Sequence, residues 1–523
     1  MTTGEVWREE ILPDYWRGDC FGANAPRNDT ERQIMDIIAT RIGKLAKIRA
    51  AGVDPYPHRF DYTHTFSAVH SEFQHLKEGE ASDLKISVCG RLISRREMGK
   101  ATFCHLQDPA AKLQIYIKQN LIGEEKYRAF LEMLDIGDFL GVTGIPFRTR
   151  TGELTVNVTD WTLLSKSLMP LPEKWHGLRD VEIRYRQRYL DLISNPDVRQ
   201  IFVQKAKIID SIRNFLNENG FIEVETPVIQ HLPGGAVARP FKTFHNAFGS
   251  DFFLRIAPEL FLKMLVVGGM EKIFEIGKSF RNEGVDRKHN PEFTMVEVYR
   301  AYSDYTDMMK LCRDVLARVT ENPAMKDGMP DFKNTRTVTL SDLFRQYVDK
   351  DVDIIDAVET GTIKDLAKKL NVEFNPAAPD RKIFDHLFDG FIQDKLQEPT
   401  FVIDYPVAFS PLAKASDADG RIAERFELFV AGQEIANAYS ELNDPLEQKK
   451  RFLNKPRGAE TDEEVPLLDE EFIRAIEYGM PPCGGLGIGI DRLTMVLTGN
   501  DSIRDVLLFP LLRPETGVVS GAK

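Results

Sequence analysis

The spacing of hydrophobic residues along this chain changes twice. From Thr30 onward, Ile34, Ile38, Ile42, Leu45 and Ile48 recur at intervals of three or four. That spacing predicts a helix with one apolar stripe, capped by Thr30 and ended by Gly52 and Pro55. Between about Leu84 and Leu164 the period falls to two. "LKISVCGRLISRR", "ATFCHL", "KLQIYIK", "DFLGVTGIPF" and "ELTVNVTDWTLL" read as five strands, with a helical "EEKYRAFLEML" between the third and fourth. This order matches a small OB barrel, a fold that often holds single-stranded nucleic acid; a barrel with no ligand fits the pattern as well. Residues 166–196 suit a linker, with a Pro-containing polar stretch followed by "VEIRYRQRYLDLI". The latter reads as one Arg-rich helix, either a solvated face or a phosphate contact. From Asp197 helices and strands alternate in an α+β pattern, interrupted by a mainly helical insertion at about 321–396.

Composition narrows the classes. The chain has 523 residues, 42% hydrophobic and 28% charged, which predicts a soluble protein of two or three domains. No apolar run approaches the roughly 20 residues of a spanning helix. Residues 1–30 are mixed in charge, lack the apolar centre of a signal peptide and form an extension with no assigned role. Five cysteines without a C-x-x-C pair give neither a disulfide framework nor a zinc ribbon. His58, His64, His70 and His75 are too irregularly spaced to read as a metal set. A cytoplasmic protein is expected. The net charge of −12 speaks against a general nucleic-acid binder.

Three segments carry candidate chemistry, and none is a P-loop. In "CGGLGIGIDRLTMVL", Gly485, Gly487 and Gly489 fall on one strand face and Leu486, Ile488 and Ile490 on the other. A bare face admits a flat ligand or a second backbone; Asp491 and Arg492 then open a helix. "EKIFEIGKSF" and "FTMVEVYRAY" read as strands joined by "RNEGVDRKHNPE". Phe293, Met295, Glu297 and Tyr299 share a face, and a buried carboxylate there suits a polar pocket better than a core. Arg281 opens the loop and His289 closes it, surrounding a polyanion with donors. In "ERFELFVAGQEIANAYSELND" a turn at Ala431-Gly432 pairs Val430 with Gln433 and Phe429 with Glu434. Glu427 and Glu434 then face one side, placed to share a divalent cation. Asn437, Tyr439 and Glu441 alternate on the opposite face. If both sets line one site the strand must change parity, so a bulge is expected near Ile435–Ala436.

Taken together, these stretches resemble the class II aminoacyl-tRNA synthetases. "GFIEVETP", ending at Pro227, is similar to their motif 1, "FRNEG…HNPEF" to motif 2 and "GLGIGIDR" to motif 3. The subgroup resembled has an N-terminal OB domain and includes the aspartate, asparagine and lysine enzymes. "LPGGAVARPF", "LRIAPELFLK" and "NAYSELNDP" look like its lysine branch. The resemblance runs from about Thr30 to Pro514. It implies an α+β chain: a helix and a five-stranded OB barrel binding the anticodon over 31–165, then a catalytic domain over 197–523. That domain would hold an antiparallel sheet flanked by helices, with Pro227 at a homodimer interface.

The implied activity is activation of L-lysine with ATP and Mg2+, followed by transfer of lysine to tRNA(Lys). Arg281 would hold the α-phosphate and the lysine carboxylate; Glu283 and His289 would contact ATP. Phe293 would stack on adenine, with Arg492 on its other face and near the γ-phosphate. Glu427 and Glu434 would ligate Mg2+. Gly235 and Glu259 would receive the α-ammonium and Glu441 with Tyr299 the side-chain ammonium, with Glu297, Asn437 and Tyr439 completing the pocket. Phe103, Gln114 and Glu153 match anticodon-reading positions, although Phe103 also reads as barrel core. Ala436, Ala438 and Gly484 depart from residues common in bacterial lysine enzymes, and the methyl gained at Ala438 and the one lost at Gly484 are expected to reshape the lysine pocket slightly; Cys483 reads as a small buried hydrophobe. Two alternatives differ at named features. A ligase that attaches lysine to a protein is expected to lack the OB domain. A catalytically silent RNA-binding paralogue would tolerate loss of Arg281, Glu283, Glu427, Glu434 or Arg492, and all five are present.

Overall fold

The computed structural model describes residues 29–172, 178–322, 328–453 and 469–514, so nearly all of the N-terminal extension lies outside the described residues. The chain divides into two compact units, with the boundary after Arg179 and residues 513–523 assigned to the first. No helix among the described residues is long and apolar enough to cross a membrane.

The first unit opens with helix α1 (Asp29–Ala50), which buries Ile38, Leu45 and Ile48 from the anticipated stripe. The helix begins at Asp29, and the expected cap, the Thr30 side chain, lies outside the described residues. Gly52 ends it in the left-handed region, with φ 73°. Strands β1 (Ile86–Met98), β2 (Ala101–Gln107), β3 (Lys112–Lys118), β4 (Phe139–Arg148) and β5 (Leu154–Ser165) close into a barrel of order β1-β2-β3-β5-β4. Helix α2 (Glu124–Met133) lies between β3 and β4 in sequence. On β2, Thr102, Cys104 and Leu106 point into the core and Phe103 and His105 point outward. Phe103 is therefore not barrel core.

The second unit is built on an eight-stranded sheet of order β12-β13-β14-β15-β16-β11-β10-β6. Its strands are β6 (Ile222–Glu223), β10 (Lys272–Phe280), β11 (Glu292–Ala301), β12 (Arg336–Thr339), β13 (Thr400–Pro406), β14 (Ile422–Val430), β15 (Gln433–Ser440) and β16 (Cys483–Gly489). A separate three-stranded sheet holds β7 (Ile229–Gln230), β8 (Lys242–His245) and β9 (Ser250–Leu254). The six central strands of the large sheet are antiparallel, as expected, but both edge strands pair in parallel. Each parallel pair is joined by a long crossover, which parallel pairing requires: one contains the small sheet, the other the helices of the insertion.

One sheet face packs on three helices, α3 (Pro196–Glu218), α4 (Tyr305–Thr320) and α5 (Ile490–Thr498). Ile208, Ile212, Val315, Leu316, Leu493 and Leu497 meet Phe426, Leu428, Ala438, Leu486 and Ile488 there. The insertion forms its own core around Phe344, Phe384 and Leu387, and Phe429 of β14 reaches into it.

The Arg-rich segment is two short helices, Val181–Arg186 and Arg188–Ser194, broken at Gln187. Arg188 is fully buried. It pairs with Asp191 at 2.5 Å and donates to the carbonyls of Arg504 (2.8 Å), Leu507 (3.1 Å) and Leu508 (3.1 Å). The basic run thus ties down the C-terminal stretch of the unit at Arg188 instead of presenting a uniform charged face. Asp191 would keep its pair with Arg184 if Arg188 were removed, but the three carbonyls would lose their donor. Arg188→Ala is expected to lower unfolding free energy by about 1–3 kcal/mol in a denaturant titration; a loss under about 0.5 kcal/mol would contradict this role.

Candidate active site

The site lies on the sheet face opposite the main helices, and two sequence features put it there. The first is the glycine strand. In β16, Gly485, Gly487 and Gly489 lie opposite Tyr299, Glu297 and Met295 of β11, and Gly485 and Gly487 lie opposite Tyr439 and Asn437 of β15. A bare floor therefore separates two walls of polar side chains. A methyl at Gly485 would lie 1.9 Å from Glu441 Oε1 and 2.8 Å from Tyr299, so that position must remain open. The second feature is the β14–β15 hairpin. Ala431 (φ 51°) and Gly432 (φ 67°) form its two-residue turn, and both central residues have the positive φ that a type I′ turn needs. Phe429 faces Glu434 and Leu428 faces Ala436, which leaves Ile435 as the extra, bulged residue. Ile435 and Ala436 turn to the core, and Glu434, Asn437 and Tyr439 share a cavity with Glu427.

That cavity, about 340 Å³, is lined by every catalytic-unit ligand residue singled out in the sequence. Gly235, Glu259, Arg281, Glu283, His289, Phe293, Glu297, Tyr299, Glu427, Glu434, Asn437, Tyr439, Glu441 and Arg492 all contribute. Pro227 does not; it is exposed between β6 and β7, near exposed Ile222, Val228 and Ile229.

The cationic end is a chain of contacts. The Arg281 guanidinium sits 5.0 Å over the Phe293 ring. Burial lowers the Arg281 pKa, and its Nε has no hydrogen-bond partner. Arg492 Nη1 pairs with Glu434 Oε2 at 3.0 Å, and Nη2 lies 3.2 Å from His289 Nε2. His289 Nδ1 is 2.8 Å from Asp286 Oδ2. An arginine can only donate, so these contacts select the tautomer in which Nε2 accepts and Nδ1–H donates to Asp286. Burial pushes the Asp286 pKa up, but the His289 and Lys288 hydrogen bonds outweigh it and hold it low. Glu427 is paired with Arg425 and accepts from the Tyr405 hydroxyl at 2.8 Å. Burial raises its pKa against the pull of Arg425, and the Glu434 charge adds to the rise. Among the described residues no trio of His, Cys, Asp or Glu could hold a metal by itself. A cation between Glu427 and Glu434 would need further oxygens from a ligand.

The closed end is acidic. Glu259, Glu297 and Glu441 are all buried there. Glu297 is raised well above the ordinary carboxylate range by burial, then by the charges of Glu259, Glu275 and Glu441. Burial pushes Glu441 up to about 8, against the lowering effect of Lys263. Tyr299 OH is 3.4 Å from Glu297, and Asn437 Nδ2 donates to the Tyr439 hydroxyl at 3.0 Å.

Two cations here escaped the sequence reading. Lys263 lies one helical turn beyond Glu259, a spacing that ordinarily signals a solvent-exposed pair. Arg425 precedes Glu427 by two residues and so shares its strand face, a signal that alternation carried. The expected effect of Ala438 and Gly484 on the pocket is overturned. Ala438 packs in the helix-side core, and a methyl at Gly484 would meet Met308 of α4 at 2.6 Å. Ala436 also belongs to that core, although it touches the cavity edge. Cys483 is buried, and burial raises its thiol pKa.

On the barrel's outer face, Phe103 stacks on Tyr116 with centroids 4.2 Å apart. Gln114 Nε2 donates to Glu153 at 2.6 Å, and His105, which the sequence reading passed over, approaches Glu153 at 2.8 Å.

A barrel of OB topology and a large sheet whose glycine strand lies between a cationic loop and buried carboxylates together define a class II synthetase. Residues 180–513 match the family model described as tRNA synthetases class II (D, K and N), and residues 86–164 match the OB-fold nucleic acid binding domain. The chain is 48% identical to the Lysine–tRNA ligase of Pelotomaculum thermopropionicum, over 92% of its length and 96% of that protein. It is 48% identical to that of Enterococcus faecalis (91% and 97%) and 52% identical to that of Aquifex aeolicus (82% and 73%). The chain belongs to the lysine–tRNA ligase family of class II tRNA synthetases.

The glycine floor gives a paired test. Gly485→Ala is expected to cost about 1–3 kcal/mol in denaturant unfolding, because a methyl there overpacks the Glu441 carboxylate. Gly489→Ala, whose added methyl would meet nothing closer than 3.8 Å, should cost less, under about 1 kcal/mol, from exchanging the glycine at the N-cap of α5.

Proposed function

We propose that this chain charges tRNA(Lys): it activates L-lysine with ATP to lysyl-adenylate and pyrophosphate, then passes lysine to the 3′ end of the tRNA and releases AMP. The observation that carries this reading is Glu441. Its Oε1 is buried without a hydrogen-bond donor, at the closed end of a cavity whose other end is cationic. A side-chain ammonium is the ligand group that satisfies it.

Lysine's carboxylate is already a nucleophile near neutral pH, so attack on the α-phosphate needs alignment and charge neutralisation and no general base. Arg281 is the group we assign to the α-phosphate and the lysine carboxylate; its orphaned Nε is available to an oxygen. Phe293 would stack on adenine. Glu283 and His289 would contact ATP, and Arg492 would lie near the γ-phosphate, exchanging its contact with Glu434 for one with the nucleotide. Glu427 and Glu434 suit Mg2+, since two carboxylates at one cavity wall with phosphate oxygens give the hard donor set it prefers. The ion would neutralise phosphate charge.

Gly235 and Glu259 would receive the α-ammonium. Glu441 with Tyr299 would receive the ε-ammonium, and Glu297, Asn437 and Tyr439 would complete that end. Selectivity follows from sign: an acidic amino acid would meet like charges. Arginine is too large, and ornithine's ammonium would fall short of Glu441. We assign the outer barrel face with Phe103, Gln114 and Glu153 to the anticodon, where one aromatic stack is worth ~1–3 kcal/mol per base. We further propose a homodimer through the exposed apolar residues around Pro227, and the cytoplasm as the compartment in which tRNA is charged.

The test is ATP–pyrophosphate exchange with Mg2+, without tRNA, across the twenty amino acids. Exchange with lysine alone is expected; none with lysine in folded protein would end the proposal. Glu441→Gln should lower kcat/KM for lysine by about 10⁴. In the wild type, kcat/KM for lysine should rise as pH rises toward about 8, because Glu441 must lose its proton to receive an ammonium. A profile flat across that range would remove Glu441 from this role. Phe103→Ala should weaken tRNA binding by ~1–3 kcal/mol and leave exchange unchanged.

A further inference from the structure

Lys263 has no part in the reading above, yet it sits at the centre of the acidic end. It is carried by the helix Glu259–Val267 and is fully buried. Its ammonium is 2.7 Å from Glu259 Oε1 and forms an ion pair with Glu441 Oε2. Burial works against the Lys263 charge, but Glu259 and Glu441 outweigh it and keep the proton on. Glu297 and Tyr299 of β11, Tyr439 of β15 and Cys483 of β16 face the same cluster, with the buried Arg255–Glu275 pair beyond Glu297. Arg255 is taken up by Glu275, so Lys263 is the cation that Glu259 and Glu441 have in common.

Two carboxylates this close, away from water, do not both ionise unless a cation lies between them; they share a proton and titrate as a pair. A shared proton would occupy the oxygens an incoming ammonium needs. Lys263 contacts one oxygen of each carboxylate, while Glu441 Oε1 lies against the bare Gly485 without a donor. We propose that Lys263 is a positioning residue for the amino-acid substrate: by bridging Glu259 and Glu441 it favours their ionised forms over a shared proton and leaves the second oxygen of each for a substrate ammonium group. This rests on the lysine-binding reading of the same site. Lys263 itself does not touch the reacting atoms.

Lysine-dependent ATP–pyrophosphate exchange with Lys263→Met, Lys263→Gln and Lys263→Arg tests it, from about pH 6.5 to about 9.5, with KM for ATP and a thermal melt for each protein. The quantity read is the wild-type-to-variant ratio of kcat/KM for lysine, in which titration of the free amino acid cancels. With the Met and Gln variants the ratio is expected to reach about tenfold or more near pH 7 and to fall toward the alkaline end of the range, because without Lys263 the pair loses its proton at higher pH than in the wild type. KM for ATP should stay within about twofold. The Arg variant retains the charge, so its ratio should not depend on pH, whatever its size. A pH-independent ratio for Met and Gln, or equal rises in KM for lysine and for ATP, overturns the proposal. If Met and Gln fail to fold, a ratio that falls with pH for the Arg variant overturns it. No lysine exchange by the wild type would instead remove the reading on which the proposal stands.

Discussion

Desolvated carboxylates set the terms for the catalytic unit. Glu259, Glu297, Glu427 and Glu441 are held largely away from water along one sheet face, where an ionised carboxylate without a partner is costly. Much of the surrounding structure answers that cost. Arg425 and Tyr405 engage Glu427, Lys263 bridges Glu259 and Glu441, and the glycine floor leaves room for the carboxylate that comes closest to it. The site is a set of charges brought close to balance before any ligand arrives.

Backbone geometry makes that arrangement possible. An uninterrupted β15 would put Glu434 and Asn437 on opposite faces, because side chains alternate strictly along a strand. One bulged residue, Ile435, moves both to the cavity and leaves Ala436 and Ala438 to pack against the helices. The hairpin turn enforces the register on one side and the glycine strand on the other. A slip of one residue would send the acidic set into the apolar core.

Most of this was legible in the chain. The five barrel strands, the glycine face, the hairpin register and the bulge follow from alternation and turn chemistry. Arg188 and Lys263 did not follow. Each is a charged residue within short helical spacing of a carboxylate, and local pattern does not distinguish a solvated pair from one sealed by segments distant in sequence. Arg188 is closed in by carbonyls more than three hundred positions away, and Lys263 by Glu441. The overall acidity was a poor guide for a related reason. It sums over the whole surface, whereas a family of tRNA ligases needs its cations only where a phosphate or an anticodon sits. The parallel edge strands were missed because period-two patterning reports faces and not strand direction.

The Lys263 bridge also limits how this pocket can be redesigned. An engineer who wants an uncharged amino acid in it would first replace Glu441 with a neutral residue, and that alone would leave Lys263 paired only with Glu259. That remaining pair is balanced in charge, whereas removing Lys263 as well would leave Glu259 buried without a cation. Lys263 and Glu259 therefore stay or go together, and a neutral side chain of matching volume in place of Glu441 is the single change the balance of charge admits.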